Sequence, residues 1–450
     1  MPVRSVLGAV GATLTYLLVT LFNAIRMQRA LSVLSGVILL TGSTLWFHYG
    51  RAQSAAPLPA KPTYQFSRAL PPLETSAPLS DQLSAQLEEA AISASFIGDY
   101  ALALRYMDRN SPGVAKISPA DSAYFLTFRP RPALDYLLER AAREKIVMLN
   151  EAHHVPLHRV FTLSLLKGLY DRGYRYLGAE TLSFGDKQLN QRGYPVTSQV
   201  DYFKNSGYYT AEPQYGNLIR EALKLGFTVF PYDPVLGPEV PNRGYQRELQ
   251  QAQNIQKILS ANPNAKIVIQ AGYDHIREDS VGGAWGKAMA GRVKELTGIN
   301  PLTINQEKLT EKSAPRFENP YYKLVRAQEA SVLVNTQGQV FAGPPGSKMY
   351  DVRIFHPPTK YQYGRPKWLG LGGRRNPVFV KQLPATLVYP CLVFAYHATE
   401  NPALAVAADI VELRSAAERS AKALILDPGN YLLVLKSSNG HTQQAKIVVK

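Results

Sequence analysis

A chain of 450 residues, 46% of them hydrophobic, is longer than one ordinary domain and can bury at least one large core, so two or three units are expected. Its single cysteine excludes an internal disulfide and any Cys-rich zinc module, and packing alone must hold the fold. A formal charge of +16 favours anionic partners, phospholipid, lipopolysaccharide, cell-wall polymer or nucleic acid, without choosing among them.

Residues 1–56 read as a targeting region. Two apolar stretches, 6–25 and 30–47, flank Arg26 and Arg29, and each is about long enough to cross a hydrocarbon core. Read from Met27, the segment is a signal peptide, with a short basic start, an apolar run and small residues at 52–55 suited to cleavage. Read from Met1, it is a transmembrane anchor whose arginines stay cytoplasmic. Both readings export the chain beyond residue 56, so the expected location is the periplasm, free or anchored to the inner membrane. Residues 57–79, rich in Ala, Pro and Ser, form a linker. Residues 80–129 are a helical preface, a hairpin interrupted near Gly98 and Asp99 that serves packing or dimerisation.

From 130 to 310 helical and apolar segments alternate. Helices at 134–145, 156–172, 215–225, 245–260 and 285–296 precede short apolar runs at 146–149, 176–179, 227–230, 267–270 and 302–304. The pattern predicts an α/β fold, a mainly parallel sheet with helices on both faces. Residues 311–450 change character to Pro, Gly and Tyr with alternating strands, and predict a mostly β C-terminal region with an Ig-like sandwich at its end. This region carries much of the charge excess, with 17 Lys and Arg against 8 Asp and Glu from Ser313 on. Within it, the basic and aromatic stretch 353–375 has the composition to stack on sugars or bases and pair with phosphate, but its prolines favour a surface loop, so nucleic acid is not an expected partner.

In an open α/β sheet, ligands bind beyond the carboxyl ends of the strands. Here the first strand ends in Asn150, Glu151, Ala152, His153 and His154, the second in Glu180, the third in Tyr232 and Asp233, and the fourth in Tyr273, Asp274 and His275. Glu151 and His153, two apart in an extended segment, can point into one cleft, and Arg159 in the next helix can pair with Glu151 or hold an anionic group. Two chemistries suit the set. His153 can act as a general base on water, with Arg159 and His275 steadying an oxyanion. Alternatively, Glu151, His153, Glu180 and His275 can ligate zinc, manganese or iron. His154 and His158 are expected on a solvated helix face, and Arg247 and Asn254, seven apart on one helix, either line the site or only mark amphipathicity. No G-x-S-x-G, H-E-x-x-H or P-loop motif is present.

The stretch IVMLNEAHHVPLHRVFTLSLLKGLYDRGYRYLGAET (146–181) resembles the opening of the erythromycin esterase, ChaN and Tiki superfamily. There a strand ends in Gly-Glu-x-His, an Arg follows in the next helix and a Glu ends the second strand. The YDP (232–234) and GYDHI (272–276) segments resemble the same group, so the likeness spans about residues 130–306. It implies an α/β domain with a polar cleft, used for ester hydrolysis, metal-dependent peptide cleavage or haem binding in different branches. By position it carries over Glu151, His153, Arg159, Glu180 and His275 as the site, with His153 or His154 as the haem ligand. Asn150 stands where the family has Gly, and Asn tolerates unusual backbone angles. The expected function is an exported hydrolase cleaving an ester or amide in a small molecule or peptide. Its alternatives are a haem- or metal-binding envelope protein without turnover, and a scaffold whose basic C-terminal region binds envelope polymer.

Overall fold

The computed structural model describes residues 63–74, 80–109, 111, 113, 116–197, 205–281, 283–382 and 387–450. The expected signal or membrane-anchor region at 1–56 and part of the linker lie outside these. Among the described residues no helix is long and apolar enough to cross a membrane.

Helices α1 (Asp81–Phe96) and α2 (Tyr100–Arg109) form the expected hairpin. Its turn needs Gly98, which has φ +76° and whose missing Cβ would meet the Ile410 carbonyl oxygen. After a short α3 (Pro119–Phe125) comes the central unit. In chain order it runs β1 (Arg129–Pro132), α4 (Ala133–Ala141), β2 (Ile146–Glu151), α5 (Leu157–Asp171), β3 (Tyr176–Ala179), a one-turn α6 (Leu189–Arg192), α7 (Pro213–Leu225), β4 (Thr228–Pro231), α8 (Arg243–Ala261), β5 (Ile267–Gly272), α9 (Met289–Thr297) and β6 (Leu302–Leu309). Two further strands, β7 (Ser331–Val334) and β8 (Val352–Phe355), complete one eight-stranded sheet. Its order is β1-β7-β8-β6-β2-β5-β3-β4. From β8 to β4 every neighbour is parallel, while β7 pairs antiparallel with β8 and β1.

The continuous apolar runs have a physical reason. Successive side chains of one strand point to opposite faces, and both faces are covered. Val147 and Leu149 pack with α4, α5 and α7, whereas Ile146 and Met148 pack with α8 and α9. The last helix starts at Met289, four residues later than the pattern predicts, because Gly286 turns the chain at φ +65°.

The structure departs from the expected boundary at 311. Strands β7 and β8 belong to the central sheet rather than to a separate β-rich region. What remains is an antiparallel four-stranded sheet of order β11-β10-β13-β14, formed by β10 (Cys391–His397), β11 (Asp409–Leu413), β13 (Gly429–Ser437) and β14 (Thr442–Val449). Beside it β9 (Asn376–Phe379) pairs with β12 (Ala423–Leu426). This region clasps α7: Arg220 makes two 2.7 Å contacts with Glu400, and Asn217 Nδ2 donates to the Ala408 carbonyl at 2.8 Å.

Candidate functional site

The strand order assembles the site. β5 lies between β2 and β3, so three carboxyl ends stand side by side, with Glu151 level with Gly272 and Ala179 level with Gln270. The chain leaves this point toward both edges of the sheet, which is where a crevice forms in folds of this kind. Glu151, His153, Glu180 and His275 converge here, and Asp233 joins them from the end of β4.

Glu151 is the hub. Its Oε2 accepts from Arg159 Nε and from Gln270 Nε2, both at 2.8 Å, and its Oε1 accepts from Arg159 Nη2 at 2.5 Å and faces His153 Nδ1 at 3.1 Å. Burial alone would raise this carboxyl, but the charge and hydrogen bonds of Arg159 overcome it and hold the group at about 2. Thr162 fixes Gln270 by donating to its Oε1 at 2.8 Å. Arg159 is wholly buried and also donates to Glu212 Oε2 and to the His153 carbonyl, each at 3.0 Å, with Tyr215 below its guanidinium. It therefore positions Glu151 and has no donor facing a substrate, which corrects its expected part in steadying an oxyanion. Glu212 is raised by its burial, against the pull of Arg159.

His153 stacks on Tyr209 at 3.8 Å and meets the edge of Tyr273 at 4.9 Å. Its Nε2 lies 3.9 Å from Glu180 Oε1. Glu180 Oε2 accepts from the Gly272 backbone N–H, and its Oε1 accepts from Arg247 Nη2 at 3.0 Å. Gly272 is required by this closeness, since a Cβ there would collide with His153 Cε1 and stand 3.0 Å from Glu180 Oε2. Thr181 (φ 59°) and Tyr273 (φ 41°), each just past a site residue, hold left-handed backbone, a strain that concentrates at working sites.

His275 stacks on Trp285 at 4.8 Å, with Nδ1 2.7 Å from Glu248 Oε1 and Nε2 3.2 Å from Arg247 Nη1. Burial disfavours its charge, but Glu180 and Glu248 outweigh burial and raise it. Glu248 also caps α9 by accepting from Met289 N at 2.8 Å. Arg247, at 32% side-chain exposure, is the most accessible charge of the cluster. Its Nε and Nη2 grip Asp233 at 2.8 Å each, and Gln251 Nε2 donates to Asp233 at 2.8 Å. The cluster thus reaches the surface at Arg247, and the rings packed on its histidines, Tyr209 and Tyr273 on His153 and Trp285 on His275, are half-buried.

His154 and His158 are not solvated but buried, at 2% and 0% exposure. His158 Nδ1 accepts from Ala152 N at 3.0 Å, while both ring nitrogens of His154 lack a partner, and burial lowers both imidazoles well below their ordinary range. Asn150 sits in regular extended backbone, so its left-handed tolerance is not used. Instead its amide ties β2 to the Tyr273 carbonyl and to Gln306 N, both at 2.7 Å.

The residues do not fit a metal ion. Arg159 occupies both oxygens of Glu151 and Arg247 lies on Glu180, so positive charge already stands where a cation would. Among the described residues no group of three His, Cys, Asp or Glu is disposed to hold a metal. Of the two histidines expected to ligate haem, His154 is sealed in the interior, and His153 turns Nε2 toward Glu180 at 3.9 Å.

Sequence reasoning did not place Gln270, Glu212 or Glu248 in the site. The signals were present: Gln270 interrupts an apolar strand, Glu212 precedes the first proline of a helix, and Glu248 neighbours Arg247 on α8.

No family model matches the chain, and no curated protein matches it. Among solved structures, the type III effector HopBA1 is 14% identical, with 53% of this chain and 99% of that chain covered and a TM-score of 0.32. ChaN of Campylobacter jejuni, solved with cofacially bound haem, is 7% identical over 50% and 92%, with a TM-score of 0.28. RRSP, a MARTX toxin effector domain from Vibrio vulnificus, is 13% identical over 60% and 48%, also at 0.28.

Proposed function

We propose that this protein hydrolyses an ester or amide by general-base activation of water, with His153 as the base. The observation that carries this is the 3.1 Å approach of His153 Nδ1 to a carboxylate that Arg159 keeps ionised. A Glu151 acceptor places the ring proton on Nδ1 and leaves Nε2 free to take a proton. The 3.9 Å separation of Nε2 from Glu180 Oε1 is too long for a direct hydrogen bond, and a water to one side of the pair can bond to both groups. That water gives its proton to Nε2 as its oxygen attacks the carbonyl carbon. The oxyanion turns toward Arg247, whose guanidinium is the cation facing the opening, and the proton passes from His153 to the leaving group. Tyr209 and Tyr273 cover the His153 ring and must part for substrate to enter. We place the protein on the periplasmic side of the inner membrane, on the strength of the two apolar stretches near the start of the sequence.

A panel of aryl esters and short peptides tests this reading. Turnover of one of them should fall about 100-fold or more in His153→Ala, within the range for loss of a general base, with the circular dichroism spectrum unchanged. No turnover across the panel, or turnover that survives His153→Ala, would overturn it.

A further inference from the structure

A second cavity opens on the other side of α5. It has a volume of about 730 Å³, within the range that encloses small ligands. Leu157, Val160 and Phe161 of α5 form one wall, and Pro357, Pro358 and Trp368 form the other. The second wall belongs to the basic and aromatic stretch 353–375, which the proposed hydrolysis does not use. Trp368 is held from behind, by Tyr100 with ring centres 5.1 Å apart and by a 3.2 Å hydrogen bond from its Nε1 to Thr359 Oγ1. Leu371, another lining residue, is kept in left-handed backbone at φ 47°, an unusual conformation for a bulky side chain.

The walls offer aliphatic and aromatic carbon, so the body of a ligand must be apolar. The mouth is different. Lys167, Lys360, Lys367 and Arg374 stand around it against Glu221 and Glu329. Lys167 is matched by Asp171 at 2.7 Å, and Arg374 by Asp427 and Glu221. Lys360 reaches only a neutral amide, Gln328 Oε1 at 2.9 Å, and Lys367 is exposed beside it. An apolar cleft with cations at its mouth is complementary to an amphiphile with an anionic end.

We propose that this cavity binds a long-chain fatty acid, with the alkyl chain between α5 and the Pro357–Trp368 wall and the carboxylate at Lys360 and Lys367. The site is separate from the Glu151 cluster and does not depend on its function.

The probe is 2-bromohexadecanoate, whose bromine quenches tryptophan on contact and stands next to the carboxylate, within reach of Trp368 when the carboxylate sits at Lys367. Titration into the full chain should give saturable quenching that is absent in Trp368→Phe. Ser164→Trp, at an exposed lining position on α5, should block the cavity and abolish binding. The double variant Lys360→Glu with Lys367→Glu should weaken binding at least tenfold, and the methyl ester of the probe should bind at least tenfold more weakly to the native chain. Circular dichroism of each variant verifies the fold. Quenching that does not saturate, that persists in Trp368→Phe, or that is indifferent to both the charge reversal and the methyl ester would overturn the assignment.

Discussion

Replacing Glu151 by Gln tests the hub of the site directly. The native carboxylate is fully buried and accepts from Arg159 twice and from Gln270, with His153 Nδ1 alongside. Glutamine keeps the shape but removes the charge and turns an NH₂ toward a donor. A carboxyl held at about 2 instead of 4.5 corresponds to about 3 kcal/mol of stability at neutral pH. The sign comes from the direction of the shift. The folded value lies below the unfolded one, so the contribution is complete above pH 4.5 and is lost as pH falls toward 2. Urea unfolding followed by tryptophan fluorescence, run from pH 7 down to pH 3, should show Glu151→Gln less stable by about 3 kcal/mol at pH 7, with the gap to the native chain narrowing below pH 4.5. A variant as stable as the native chain at pH 7, or a gap constant across the series, would refute the assignment of Glu151 as a buried, permanently ionised carboxylate.

Two other perturbations probe the packing. Gly272→Ala should push the His153 ring out of place, costing about 1–3 kcal/mol in thermal or urea unfolding and at least as much activity as His153→Ala, because the new methyl meets Cε1 and Nε2. Arg365, buried with its Nη2 2.7 Å from Asp409, should cost roughly 3–5 kcal/mol on replacement by Met, and a second change, Asp409→Asn, should recover part of that loss in the same measurement.

The α/β alternation was legible because each strand of the parallel sheet is buried on both faces and shows as a short apolar run. The convergence of Glu151, His153, Glu180 and His275 was legible for a related reason, since parallel strands all end on one edge. Which strand neighbours which was not. The insertion of β5 between β2 and β3 depends on pairings across 121 residues (Ile146 with Ile267) and 91 residues (Tyr176 with Ile267), and no local pattern encodes them. Partner choice among charges was hidden in the same way. Arg159 is committed to Glu151 and Glu212, and Arg247, readable as ordinary amphipathicity, is the guanidinium at the opening. β1 escaped notice because Arg-Pro-Arg-Pro has no strand signature, and it survives as an edge whose four residues are all exposed. His158 looked solvent-facing because α5 alone suggests so, but His356, from beyond the expected domain boundary, packs 5.3 Å from its ring.

Glu212 has a second role, as the N-terminal cap of α7, where its Oε2 also accepts from Tyr215 N at 2.9 Å. One carboxylate thus joins the seat of α7 to Arg159, while the far side of the same helix is fastened to Glu400 and Ala408. The C-terminal sheet is therefore mechanically in series with the Glu151 cluster. A substitution near residue 400 that lets α7 slide is felt at Glu151 through a single guanidinium, and a shortened chain ending at 310 loses both that brace and the strands that cover β6.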